Sequence, residues 1–234
     1  MARALEGLAA LVTGVGRRRG IGFAIASRLV RAGADVMISH FGGHDAEQPW
    51  GTDDPAEVRA ALLALQSDQG QRLHAVDADL SGPTVCDEVV DVAVAEPGAL
   101  DILVCNHARS GGDGALDAAM IDGHYAANTR SSLLLAQAFA RVHDDTRPGG
   151  RVVFMTSGQG QGPMAGEVAP AASKAALAGI TATVAHQLAP ARHHREHDQP
   201  RPREHRLPGP GRRGCAAGRA CRSVGWGGRM ARPA

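Results

Sequence analysis

Between residues 13 and 22 the chain reads Thr13-Gly14-Val15-Gly16-Arg17-Arg18-Arg19-Gly20-Ile21-Gly22, and the chemistry open to such a run is the holding of a phosphate. A short apolar run leads in and a helical pattern leads out, so these glycines stand at a strand-to-helix turn. There they let the backbone approach a pyrophosphate, whose charge is met by the helix N-terminus. The competing reading is a glycine-rich turn with three solvated arginines. Placement between the first strand and the first helix favours binding. Asp79-Leu80 closes the third apolar run and Asn106-His107-Ala108 the fourth. Taken singly, each is an ordinary strand-end residue. Taken together, they line the crevice at the carboxyl ends of the strands, where open α/β sheets take their ligands. Farther along stand Asn128, Ser157 and Lys174, an amide, a hydroxyl and an ammonium; Lys174 is the sole lysine and Tyr125 the sole tyrosine.

The elements that must position these groups alternate. Apolar runs at 8–13, 34–39, 73–78, 102–105 and 151–156 read as buried strands. Helical patterns fall at 23–32, 55–66, 83–95, 131–142 and 171–188. Near-continuous apolar strands alternating with helices predict a doubly wound parallel sheet in a three-layer α/β/α arrangement, with right-handed crossovers. Residues 40–54 form a long connection with glycines, a proline and Trp50, a length that in a compact domain often marks function or motion. No repeat of solenoid period is present.

An apolar fraction of 44% over 234 residues is enough for a core. The longest uncharged apolar stretches read as strand-length or as parts of amphipathic helices, which leaves no membrane span. No signal-peptide pattern opens the chain. Cys86, Cys105, Cys215 and Cys221 show no paired CxxC spacing, which argues against a zinc ribbon or a disulfide scaffold, and no metal site is expected. A reducing, cytoplasmic setting follows as the expectation.

The net charge of +1 conceals an asymmetry, since residues 191–234 carry 11 arginines against three acids while residues 1–190 are net acidic. Two regions are therefore expected: a folded domain over 1–190 and a basic tail over 191–234. Arg, Gly, Pro and His make up 27 of the last 44 residues, a composition that cannot bury enough apolar surface to offset chain entropy. A nucleic-acid arm is a remote alternative, because arginines supply counterion release but only Trp226 interleaves them.

The order of these motifs resembles the short-chain dehydrogenase/reductase family over roughly residues 5–190, and among its members the 3-oxoacyl-ACP reductase-like ones. The Thr-Gly…Gly-Ile-Gly loop, Asp79-Leu80, the Asn106 turn and the Asn–Ser–Lys series all occur in sequence. The resemblance implies a Rossmann fold and NAD(P)(H)-dependent interconversion of a small-molecule carbonyl and alcohol. It implies cofactor contacts at Thr13, Gly14, Arg18, Gly20, Ile21, Gly22, His40, Asp79, Leu80, Asn106, His107 and Lys174. It implies catalytic roles for Asn128, Ser157 and Lys174, the serine orienting the carbonyl and the lysine lowering a tyrosine's pKa while holding the nicotinamide ribose. That tyrosine belongs thirteen residues after Ser157 and four before Lys174. Pro170 stands there. The fold tolerates proline in a helix's first turn, but proline transfers no proton. The chain as written is therefore expected to be weak or inactive, a dinucleotide-binding protein without turnover being the alternative. Tyr125 reads as a packing aromatic rather than a substitute acid.

Three further features bear on that resemblance. Five residues separate Gly14 from Gly20 where the family has three, and Asn106-His107-Ala108-Arg109 replaces an Asn-Asn-Ala-Gly turn. The second strand ends Ile38-Ser39-His40-Phe41, with no acid to accept from an adenosine 2′-hydroxyl, whereas Arg17, Arg18 and Arg19 could meet a 2′-phosphate. NADP(H) is thus expected ahead of NAD(H). Read one base downstream, the codons of 192–207 admit a family-like strand-and-loop string: His193 becomes Ile or Thr, and Glu196 and Gln199 each become Asn or Ser. A shifted frame would leave the domain without its last one or two strands and weaken the family's homo-oligomer.

Overall fold

Five strands pair in parallel in the order β3-β2-β1-β4-β5, where β1 is Ala9–Val12, β2 Asp35–His40, β3 Leu73–Asp77, β4 Ile102–Cys105 and β5 Arg151–Phe154. They belong to a computed structural model that describes residues 3–66, 70–95, 97–147, 150–158 and 161–189. All of these lie in one compact unit, Met1–His193. The basic segment 191–234, and any strand beyond residue 190, fall outside the described residues.

Side-chain alternation along the strands builds two cores, one on each face of the sheet. Leu11, Met37, Leu103 and Cys105 face Val89 and Val90 of α4 (Val85–Ala95) and Leu135 and Phe139 of α6 (Ser131–Val142). Ala10, Val12, Val36, Ile38 and Val104 face Ala26 and Val30 of α1 (Ile21–Arg31) and Val58 and Leu62 of α3 (Pro55–Leu63). Both faces are covered over the central strands, so β1, β2 and β4 are buried along most of their length, and an alternating pattern appears only in the outer strands β3 and β5. The expected doubly wound three-layer fold is the one found.

Local chemistry explains where the helices stop and start. Gly22, Ala26 and Val30 form the buried stripe of α1, which ends at Gly33 with φ +99°, the left-handed position that favours glycine. Asp54 caps α3 by accepting from Ala56 N–H, with Pro55 in the first turn. Asp117 likewise caps a helix the sequence did not announce, α5 (Ala118–His124). That helix runs through a π-helical segment, Tyr125–Arg130, into α6. Another short helix, α2 (Gly42–Ala46), lies in the long connection after β2.

The last described helix, α7 (Val168–Leu188), packs on the π segment and α5. By length and composition alone it is long and apolar enough to cross a membrane, which corrects the reading that no such stretch exists. Its alanine-rich sequence has no polar stripe of the kind that reading required. A third of the way along it, Lys174 is buried and bonded to backbone carbonyls.

Candidate functional site

The chain reverses its direction of winding between β1 and β4, which neighbour each other in the sheet and are followed by helices on opposite faces. A cleft of about 440 Å³ opens above the carboxyl ends of the strands at that switch point. Gly14, Gly20, Ile21 and Gly22 line it from the glycine loop, His40 from the end of β2, Asp79 and Leu80 from beyond β3, and Asn106 and His107 from beyond β4. Residues separated by more than ninety positions in the chain thus meet at one site, as their strand-end placement required.

The glycines are there because backbone passes too close for a side chain. A Cβ at Gly14, whose φ is +72°, would lie 2.6 Å from His107 Cα. One at Gly22 would lie 2.6 Å from both Asn106 Nδ2 and the Gly14 carbonyl. Asn106 stitches the two loops together, its amide donating to the carbonyls of Thr13 (3.1 Å) and Gly14 (3.0 Å). At Gly20 the N-terminus of α1 has neither a side-chain cap nor an acid in its first turn. Ile21 and Gly22 of this first turn line the cleft, and their N–H groups have no hydrogen-bond partner among the described residues, the arrangement that suits an anion. Ser39 Oγ is buried at the cleft wall without a hydrogen-bond partner among the described residues.

Thr13 and His107 play a supporting part. Thr13 is buried and does not line the cleft; its hydroxyl donates to Val104 C=O at 3.2 Å and lies 2.6 Å from His107 Nδ1. The other ring nitrogen of His107 is 2.6 Å from Ser131 Oγ. Burial, reinforced by the Lys174 charge, pushes His107 down to about 3 and keeps it neutral, so one ring nitrogen donates and the other accepts. The ring therefore ties the ends of β1 and β4 to the start of α6.

Asn128, Ser157 and Lys174 do not line this cleft. Asn128, buried in the π segment, accepts from Arg109 N–H at 2.7 Å and donates to Ser173 Oγ at 2.9 Å, clamping the loop after β4 to α7. Lys174 Nζ donates to Met155 C=O (3.1 Å) and His107 C=O (3.4 Å), and burial lowers its pKa from the ordinary lysine value. It sits behind the cleft, touching both the loop after β4 and the strand end before Ser157. Ser157 is exposed, with Met164 Sδ 3.9 Å from its hydroxyl. Pro170 lies in the first turn of α7, where its missing N–H breaks no bond; the first helical bond runs from Ala171 N–H to Glu167 C=O. The turn is anchored by Asp113, whose carboxylate accepts from Val168 N–H and Ala169 N–H. Tyr125 is 38% exposed rather than packed.

The arginines separate. Arg18 stays outside the cleft, its guanidinium paired with Glu57 (3.1 Å) and Asp53 (3.4 Å). Arg17 does line it, 5.2 Å from the ring of Trp50. Reading the sequence did not identify His44, Asp45, Arg109 or Ser110 as part of the wall. The one available signal was the length of the 40–54 connection. Among the described residues no cluster of His, Cys, Asp and Glu could hold a metal.

Residues 8–192 match the profile of the family described as short chain dehydrogenase. This chain belongs to that family. It is 34% identical over 186 residues to the "Uncharacterized oxidoreductase YjdA" of Bacillus subtilis, covering 77% of this chain and 69% of that one. It is 33% identical to the "Hydroxynaphthalene reductase arp2" of Aspergillus fumigatus, over 77% of this chain and 61% of that one. A solved short chain dehydrogenase from Burkholderia cenocepacia in complex with NADP is 36% identical, with TM-score 0.64 over 79% of this chain and 69% of that one. The chain is thus a short-chain dehydrogenase-type oxidoreductase by family, with the family's Rossmann fold.

Proposed function

We propose that this chain binds a nicotinamide dinucleotide in the β1–β4 cleft, NADP(H) ahead of NAD(H), and that its family role is the interconversion of a small-molecule carbonyl and an alcohol. The observation that carries the reading is the bare N-terminus of α1 facing a cleft floored by glycines, with Asp79, Leu80 and Asn106 at its sides. The residues fit the group: the glycines leave room for a pyrophosphate, and Ser39 Oγ offers an unused hydrogen bond. When bound, the dinucleotide supplies or accepts a hydride. Arg17 supports the phosphorylated form, because it lines the cleft and β2 ends without an acid. Arg18, engaged by Asp53 and Glu57, is set aside from that role.

In this reading Lys174 braces the loop after β4 from behind through its bonds to the His107 and Met155 carbonyls, and reaches the nicotinamide ribose expected of it only if the ammonium gives up one of them, while Asn128 positions that loop against α7. Ser157 orients the substrate carbonyl. What the chain lacks is a group to give the carbonyl oxygen its proton, since Pro170 takes the tyrosine position. Loss of a positioned acid costs ~10²–10⁴-fold. Turnover by the chain as written is therefore negligible, and its working property is dinucleotide binding. NADPH oxidation by the full chain with a panel of small ketones and aldehydes tests this: a rate near background is expected, and robust turnover overturns it. We place the protein in the cytoplasm, in keeping with the free, buried Cys86 and Cys105.

A further inference from the structure

The connection after β2 contributes Phe41, His44, Asp45 and Trp50 to the wall of the cleft. It touches both banks. On the β4 side, His44 Nε2 of α2 accepts from Ser110 N–H at 3.1 Å. On the β1 side, Arg17 lies 5.2 Å from the Trp50 ring, Asp53 N–H donates to Gly16 C=O at 3.3 Å, and Arg18 N–H donates to Asp53 Oδ2 at 2.8 Å.

Between these attachments Asp45 points inward. A Cβ at Gly16 would collide with Asp45 Oδ2, so the carboxylate fills the space the glycine leaves open. Burial raises the Asp45 pKa above the usual carboxylate range, and Arg17, His44 and His40 act against that rise. Yet no ion pair or hydrogen bond closes on this carboxylate among the described residues. A half-buried anion without a partner, held beside the glycine loop and surrounded by basic groups, is a poor way to stabilise a resting fold. It is a good way to occupy a phosphate's place.

We propose that the 41–53 connection is a strap and that Asp45 is an internal anion on the glycine loop, which an incoming dinucleotide phosphate must displace. The inference rests on the dinucleotide reading of the cleft and adds to it. Entry of a phosphate beside Gly16 puts two negative charges in one place, so Asp45 withdraws. The strap then gives up its His44–Ser110 bond and lifts Trp50 from Arg17, which frees the guanidinium to face the ligand. Asp45 thereby sets the affinity of the cleft without touching the reacting atoms.

Two measurements on the full chain test the proposal. In the first, NADPH fluorescence titrations compare the unaltered chain with Asp45→Asn, which keeps the shape and removes the charge. Asp45→Asn is expected to bind about three- to tenfold more tightly, the range for one unit charge several ångströms away in a largely aqueous cleft. In the second, Trp226→Phe leaves Trp50 as the chain's only tryptophan, and saturating NADP⁺, which does not absorb its emission, is added. A red shift as Trp50 leaves Arg17 is expected, and His44→Ala should produce part of that shift without ligand. Equal or weaker NADPH binding by Asp45→Asn, or an unmoved Trp50 emission at saturation, overturns the strap while leaving the dinucleotide reading intact. Failure of both the unaltered chain and Asp45→Asn to bind either dinucleotide overturns that reading and the strap with it.

Discussion

At the scale of single residues the account turns on small changes in shape and charge. Gly14 combines φ +72° with a neighbour 2.6 Å from its missing Cβ, and that neighbour is backbone, which cannot step aside. Gly14→Ala is expected to cost about 1–2 kcal/mol from the left-handed backbone alone, with more from the collision, and to abolish dinucleotide binding; thermal melts and a titration check it. His107 bridges Thr13 and Ser131 in a buried setting. His107→Ala removes one hydrogen bond from each of two hydroxyls, which keep their bonds to the Val104 and Ala127 carbonyls, and should lower stability by about 1–3 kcal/mol in denaturant unfolding. Pro170→Tyr restores a proton donor where α7 begins. In the chain as written it should rescue little turnover. Combined with the downstream reading frame over 192–207 it should rescue much more, measured as NADPH oxidation. A large rescue by Pro170→Tyr alone would refute the shifted-frame reading.

At the scale of elements, Asp101 shows how the sheet is pinned. Its buried carboxylate accepts from Ala9 N–H (2.9 Å) and from both Arg147 Nε (2.7 Å) and Nη2 (2.8 Å), while its N–H and C=O continue the ladder to β1 and β5. Burial raises its pKa, but the bonds from Arg147 and Ala9 outweigh this and hold it below the ordinary carboxylate value. A carboxylate depressed in the folded state contributes its stability above the unfolded pKa of about 4 and loses it as pH falls through the lower folded pKa. Arg147→Ala should therefore destabilise the fold at pH 7 by about 2–3 kcal/mol, less than a fully buried pair because Arg147 is partly solvated. It should also flatten the loss of stability below pH 4. The strand β5 tells a different story. It is the edge of the described sheet, with Val153 43% exposed, and an apolar edge is a template for pairing with another chain. Val153→Lys should raise the soluble fraction with little change in melting temperature.

The same scale shows what a sequence can reveal. The strand 102–105 and the helix 131–142 coincide with the observed bounds because each is an apolar segment with polar residues beside it, although the helix continues without a turn from the π segment before it. The short helices α2 and α5 and the π segment escaped notice, since Gly42-Gly43-His44-Asp45-Ala46 has no buried face and α5 buries only His124. Strand-end polar residues such as Asp79 and Asn106 were legible as cleft walls because parallel sheets bind ligands there. Asp45 and His44 were not, because their place depends on how a thirteen-residue connection folds back, which no local pattern encodes. Nor could spacing show that Arg18 would pair with Glu57 and Asp53 while Arg17 turned into the cleft.

At the scale of the whole molecule, the fold is the support of a dinucleotide cleft, and ligand binding should feed back on it. A ligand that binds only the folded state at a hundred times its Kd stabilises by about 2.7 kcal/mol, several degrees in melting temperature for a domain of this size. The direct test of the account is an equilibrium titration of the full chain with NADPH and, in parallel, with NADH, followed by the change in reduced-nicotinamide fluorescence. The account predicts saturable binding of both, with NADPH the tighter. Equal or tighter binding of NADH, or no saturation with either, contradicts it.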